Sequence, residues 1–265
     1  MNSVKTVVLP PRFTRPSLPV LLSVLAFIGF VSFALVGAEI SIFDFFSNIP
    51  AMWSLILEML PPDISRIDSV GVSLVETFQM VLAGTFIGVL LSLPMAVLAS
   101  KVHSPNFIIY RLMRALISFM RTVPDLIWAL FFVATVGLGP FAGVLTLIVD
   151  TIGFCGRFFA EALEETDPGS QEALKVIGAK PAGIFFSAAL PAALPSFVNT
   201  SLFSLEKATR SSVVLGLVGA GGIGIELKVA METWHYGQAA TIMLLIFIMV
   251  MLVEQVSTYL RSKVI

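Results

Sequence analysis

Charge is scarce in this sequence. Sixteen Lys and Arg stand against seventeen Asp and Glu, the formal net charge is -1, and charged residues make up 12% of the 265 positions, where a soluble domain usually carries about a quarter. Without a basic excess there is no electrostatic footprint for nucleic acid. Cysteine is almost absent: the single Cys155 excludes an intrachain disulfide and a Cys-based metal site, and its apolar run makes it a small buried hydrophobe. Histidine is equally rare, and His103 and His235 fall near opposite membrane faces in the topology derived below, so they do not share a metal; each reads as an interfacial polar residue. No G-x-x-x-x-G-K-[ST] string occurs, so the chain holds no phosphate-cradling loop of its own. No nucleophile, base and acid converge, and the chain is not read as an enzyme.

What is present is apolar sequence. Hydrophobic residues reach 57% and the mean hydropathy is +0.96, which makes lipid the expected solvent. A helix needs about 20 mostly apolar residues to span a bilayer, because its backbone groups must be satisfied internally and it rises about 1.5 Å per residue. Residues 16–38, 77–100, 126–149, 182–205 and 233–253 are each free of Asp, Glu, Lys and Arg. The third run contains Gly137-Leu138-Gly139-Pro140, a helix breaker, so it is shared by two helices, one entering from about Phe107 and one leaving towards Phe159. The expectation is an all-α polytopic membrane protein with about six transmembrane helices.

Lys and Arg placement orients them. With the N-terminus inside, Lys5, Arg12, Arg15, Lys101, Arg111, Arg114, Arg121, Arg157, Lys175, Lys180, Arg261 and Lys263 lie at or near the cytoplasmic side, and only Arg66 and Lys228 fall outside. Both termini are therefore expected in the cytoplasm. The division is a cytoplasmic segment over 1–17, a first transmembrane helix over 18–38, an outer interfacial amphipathic segment over 39–69, a five-helix core over 70–260 and a cytoplasmic tail over 261–265. The first apolar run exceeds the 7–15 residues usual for a signal-peptide core, so the helix is read as retained. Acids Glu39, Asp44, Glu58, Asp63 and Asp68 among aromatics such as Trp53 suit the outer segment to an interface.

The most informative stretch is cytoplasmic, over 168–187 within the core. Glu172-Ala173-Leu174-Lys175-Val176-Ile177-Gly178-Ala179-Lys180-Pro181, followed by Ala188-Ala189-Leu190-Pro191, reads as a short helix, a glycine turn and a second helix leading back into the membrane. It is too polar for lipid and too small for a domain, which suits a surface for a soluble partner. The pattern resembles the signature of ABC importer permeases: Glu-Ala-Ala, three residues, Gly, nine residues, Ile, one residue, Leu-Pro. Glu172, Ala173, Gly178, Leu190 and Pro191 match it; Leu174 replaces the second alanine and Ala188 the isoleucine. A narrower resemblance, over most of residues 70 to 262, joins Val136 to Leu145 and Val218-Gly219-Ala220-Gly221-Gly222-Ile223-Gly224 to the phosphonate importer permeases, whose relatives take up phosphite and hypophosphite.

The resemblance implies the type I ABC importer permease fold in a bacterial inner membrane. It also implies two copies of an ABC ATPase carrying ATP and Mg, a periplasmic substrate-binding protein, and a second copy of this chain completing the pore. By it, Glu172, Ala173, Leu174, Gly178, Ala179, Leu190 and Pro191 form the ATPase-coupling segment, and small phosphorus oxyanions pass by alternating access. Alternatives are an importer permease for another small solute, or an ion-gradient transporter, which would usually show repeated halves; none is visible.

Other features need separating from decoys. Gly219, Gly221, Gly222 and Gly224 satisfy G-x-G-x-x-G, but that fingerprint needs a preceding strand and this one follows a membrane helix. These glycines are expected to form an outer loop, allowing a sharp turn near the pore mouth or dimer axis. Charge at membrane depth is costly and marks pathways or pairs. Glu206 and Arg210 stand four apart on one helical face, either as an ion pair or as pore lining in which Arg210 attracts an anion, while Lys207 faces elsewhere. Asp125, after Pro124, is placed to cap freed amides or to join the substrate path. Asp150 is left without an identifiable partner.

Overall fold

The computed structural model describes residues 16–38 and 41–264. Lys5, Arg12, Arg15 and Glu39, used above for orientation and for the outer segment, lie outside the described residues, as does Ile265. The chain divides into two compact units, one through Leu55 and one from Ile56 onwards.

In the first unit, α1 (Leu18–Gly37) has Pro19 in its first turn, where the missing amide hydrogen would have no helical partner. None of its side chains is buried by protein, so a helix apolar all round needs lipid to cover it. A short helix α2 (Ile42–Ser47) follows, capped by Ser41 Oγ accepting from the Asp44 amide at 3.1 Å, and α3 (Ile49–Glu58) continues past the division after Leu55. The stretch 41–58 is thus largely helical.

The second unit begins before the expected core boundary at residue 70, because its entry turn is tied to the last helix: the Asp63 amide donates to Gly237 O at 3.0 Å and Thr241 Oγ1 to Asp63 O at 2.7 Å. Helix α4 (Ile67–Ala99) then packs along α7 (Pro140–Glu164). Gly84, Gly88, Ser92 and Ala96 recur every four residues on α4 and are buried; Leu147, Thr151, Cys155 and Phe159 answer from α7. A Cβ at Gly84 would stand 2.7 Å from Leu147 Cβ, and one at Gly88 2.5 Å from Thr151 Cβ. Small residues are what lets membrane helices approach, since lipid removes the hydrophobic drive between them. Cys155 is fully buried and free, as expected.

One expectation is corrected. The helix entering from Phe107 is not one straight span: α5 (Phe107–Thr122) and α6 (Asp125–Val136) meet at 90°. Pro124 causes this, because its ring forces Val123 out of the helical region, to φ -75° and ψ 122°. Across the bend the Trp128 indole donates to Met120 O at 3.3 Å. Among the described residues, five helices are long and apolar enough to cross a membrane, or six counting this bent pair. The predicted break at Gly137–Pro140 falls between α6 and α7.

The motif stretch forms α8 (Pro168–Val176) and α9 (Pro181–Ile184), then a π-helical turn over Phe185–Ala189 that opens directly into α10 (Leu190–Leu217). Pro191 lacks an amide hydrogen and its ring crowds the carbonyl four residues back, and a widened turn relieves that conflict. Stacked Phe159 and Phe197 rings, 4.3 Å apart, join α7 to α10. Helix α11 (Ile223–Glu232) and the long α12 (Tyr236–Val264) complete the unit. The expected tail from residue 261 is the last turn of α12.

Candidate functional site

Asp167 starts the motif segment by accepting the Gly169 amide at 3.2 Å. Its end is a complete Schellman closure: Gly178 at φ +81° donates to Lys175 O at 3.0 Å, and Ala179 donates to Leu174 O at 3.0 Å. The motif glycine is therefore fixed by backbone geometry. Nothing lies within 4 Å of a Cβ built on it, so steric crowding does not require glycine here; the reason is conformational, since side-chain-bearing residues avoid left-handed φ. Glu172 and Ala173 are exposed, Leu174 and Ala179 half-buried, Leu190 half-buried and Pro191 exposed. Val176 and Ile177 are 87% and 77% exposed, an apolar tip with nothing of this chain on it.

The ends of α4 and α7 are clasped together by α5. Glu164, closing α7, accepts the Lys101 amide at 2.6 Å and pairs with Arg114 at 2.9 Å, while Arg114 Nε donates to Ala99 O at 2.9 Å. The His103 ring packs edge-on against Phe185 at 5.3 Å and its Nδ1 meets Ser100 Oγ at 3.2 Å. Burial, then the Lys175 ammonium, push the His103 imidazole below its ordinary range, against the pull of Glu164.

At membrane depth the structure reassigns the charges. Glu206 and Arg210 share a face of α10, as the four-residue spacing predicts, but they do not pair with each other. Both reach α12: Glu206, buried, pairs with Arg261, and Arg210 meets Glu254 at 3.5 Å with both side chains about half exposed. Lys207, one step round, turns to α7 and binds Asp150 at 2.5 Å. Asp125 is not a cap; it is the first residue of α6 and accepts from Ser211 Oγ of α10 at 3.0 Å. Glu254, Arg261 and the Lys207–Asp150 pair are what sequence reasoning missed. Each is an unpaired charge in or beside an apolar run, and that signal flags the residue without naming its partner.

The two glycine strings, remote in sequence, meet. The Gly139 amide donates to Gly219 O at 2.9 Å, and Gly221 at φ +89° leaves room for Pro140, whose Cα would lie 2.7 Å from any Cβ there. Gly222 and Ile223 at the start of α11 donate to Glu76 Oε1 at 3.1 Å and Thr77 Oγ1 at 2.7 Å. The string follows helix α10, and these two amides already have protein acceptors. Among the described residues no group of three metal-ligating side chains is found.

Comparisons with known proteins agree with this architecture. Residues 88–261 match the family described as binding-protein-dependent transport system inner membrane component. The chain is 39% identical over 216 residues to the phosphite transport system permease protein PtxC of Stutzerimonas stutzeri, covering 82% of this chain and 78% of that one. It is 38% identical over 211 residues to the phosphate-import permease protein PhnE of Mycolicibacterium smegmatis, covering 78% of this chain and 39% of the other. Among solved structures it resembles a chain of the inward-facing MetNI methionine ABC transporter, with TM-score 0.61, 27% identity, and 82% and 99% coverage. A chain of an amino acid ABC transporter superposes with TM-score 0.65 at 17% identity, a likeness of fold. With the family match running over residues 88–261 and taking in the motif, the chain belongs to the binding-protein-dependent inner membrane components, permeases of the type I ABC importer fold.

Proposed function

We propose that this chain is the permease subunit of an ATP-driven importer for a small phosphorus oxyanion such as phosphite, hypophosphite or a phosphonate. The observation that carries the reading is the exposed Val176–Ile177 tip held by the Gly178 turn. It is an apolar knob on an otherwise polar segment, continuous through the π-turn with α10, and the permease relatives named above support its assignment. Glu172, Ala173, Leu174, Gly178, Ala179, Leu190 and Pro191 form the coupling contact with one of two ATPases, which supply ATP and Mg. A second copy of the chain completes the pore, a periplasmic binding protein delivers substrate, and both termini are cytoplasmic.

In this reading Arg210 lines the substrate path. A charged pair half exposed at membrane depth does not face hydrocarbon, so Arg210 and Glu254 face water or a protein surface. A guanidinium binds two oxyanion oxygens at once. Glu254 competes for it, and not Glu206, which Arg261 already holds. Asp125 stands beside the same helix through Ser211. Outer glycines Gly219, Gly221, Gly222 and Gly224 hold the periplasmic end rigid.

The test is uptake of labelled phosphite into vesicles containing the chain, its ATPase and its binding protein, with phosphonate, hypophosphite, phosphate and methionine as competitors. Uptake should stop when ATP hydrolysis is blocked, and only phosphorus oxyanions should compete. Uptake surviving the block would indicate an ion-gradient transporter, and competition by methionine alone another solute.

A further inference from the structure

The Asp150 side chain on α7 is only 7% exposed, and one of its two carboxylate oxygens is unsatisfied. Oδ1 accepts from Lys207 Nζ at 2.5 Å, while Oδ2 is buried without a hydrogen-bond partner. The Asp125 carboxylate, at the start of α6, lies within hydrogen-bonding reach of Asp150, and Asp125 Oδ2 already accepts from Ser211 Oγ at 3.0 Å. Two carboxylates thus stand against one ammonium. Among the described residues packed on this stretch of α7, no second cation answers them. Helix α4 presents Gly88 to Thr151, and α5 meets Gly153 through the Arg121 backbone, its guanidinium lying over the Phe158 ring at 5.7 Å. On α10, Arg210 turns away to Glu254 and Glu206 to Arg261. Cys155 and Ser204 border the cluster and carry no positive charge.

Ionised carboxylates are acceptors only, and two of them held together away from water repel. One proton removes both faults: it gives the unsatisfied oxygen a hydrogen bond and leaves the cluster neutral, as membrane depth favours. A metal ion fits less well, because the Lys207 ammonium already holds Asp150 Oδ1 and no group of three His, Cys, Asp or Glu is found among the described residues. We propose that Asp125 and Asp150 form a proton-binding site that clasps α6 to α7, closed by Lys207 and Ser211 of α10. Asp125 follows Pro124 at the 90° bend, so the shared proton pins the bent helix pair to the body of the bundle. As pH rises and the proton leaves, adjacent carboxylates repel and the start of α6 is freed; as pH falls it is held again. Half-buried Asp125 and Lys207 give water its route to the site. The site belongs to the chain itself and does not depend on which solute is carried.

The experiment uses the full-length chain assembled with its ATPase in nanodiscs. Infrared difference spectra taken as pH is raised from about 6 to about 9 should show a protonated-carboxyl band disappear in wild type, and the band should be missing from both Asp125→Asn and Asp150→Asn. Trp128, one turn into α6 with its indole on Met120 O, reports the bend once Trp53→Phe and Trp234→Phe remove the other two indoles. Its fluorescence should shift over the same pH range in that background and stay flat when Asp125→Asn is added, since the amide supplies a permanent hydrogen in place of the proton. A band absent from wild type or surviving in both Asn variants would overturn the proposal, as would a Trp128 signal that titrates equally with and without Asp125→Asn. Loss of the band on adding sodium chloride at constant pH, but not choline chloride, would assign the site to a metal cation and overturn it as well. None of these readouts involves uptake, so failure of phosphite transport would count against the substrate reading alone.

Discussion

The two ends of the core are built in opposite ways. At one end the glycine strings interlock: backbone meets backbone, Gly216 and Gly224 admit no Cβ, and the first amides of α11 are satisfied by Glu76 and Thr77. At the other the motif segment carries an apolar tip, a cavity and an unpartnered His103 nitrogen. The first is closely packed, and the second leaves apolar side chains uncovered. In the function proposed above, an ATPase acting at the second end would turn the core about the first.

Breaking the rigid end should have the largest effect. A Cβ on Gly216 would lie 2.6 Å from Gly224 Cα, backbone that has nowhere to go, so Gly216→Val should cost about 3 kcal/mol or more and abolish recovery of folded protein in a thermal-shift size-exclusion assay. Good recovery would mean that the end is not closed.

Next comes the middle of the bundle. Lys207→Met strands the buried Asp150 carboxylate, at a cost of about 3 kcal/mol, and adding Asp150→Leu should restore most of the melting temperature, since two apolar groups need no partner. Lys207→Met melting like wild type would mean that the pair contributes nothing.

Smaller in stability but large in function is Gly178. Valine there must adopt left-handed backbone at about 1–2 kcal/mol with no steric clash, so Gly178→Val should insert normally yet lose about tenfold in uptake, while Gly178→Asn, which tolerates that conformation, should keep most of it. Equal uptake by both variants would separate the turn from coupling.

The smallest effect is a pH dependence at the motif end. Because the folded His103 value is depressed, the unfolded chain takes up its proton first as pH falls. The stability held at His103 is full above the ordinary value of about 6.5 and declines below it. The hydrogen-exchange protection of residues 168–187, taken relative to the intrinsic rate at each pH, should fall between pH 7 and 5.5 in wild type and less so in His103→Gln. Identical profiles would locate the titrating group elsewhere.

What the sequence determined was local. Apolar runs, the breaks at Gly137–Pro140 and Gly178, and the motif on a short helix follow from neighbours a few residues apart, through hydrophobic length, proline chemistry and φ preference. Even the shared face of Glu206 and Arg210 was legible, because helical geometry sets it. Left to the tertiary structure were the partners. Arg261 for Glu206, Glu254 for Arg210 and Asp150 for Lys207 lie 44 to 57 positions away on other helices, and the meeting of Gly139 with Gly219 and the His103 cavity are equally remote in sequence. A low-dielectric interior makes an unpaired charge costly enough that some partner is required, but which charge answers depends on how the helices pack, and packing is set by the small-residue contacts of α4 and α7 rather than by the charged residues themselves.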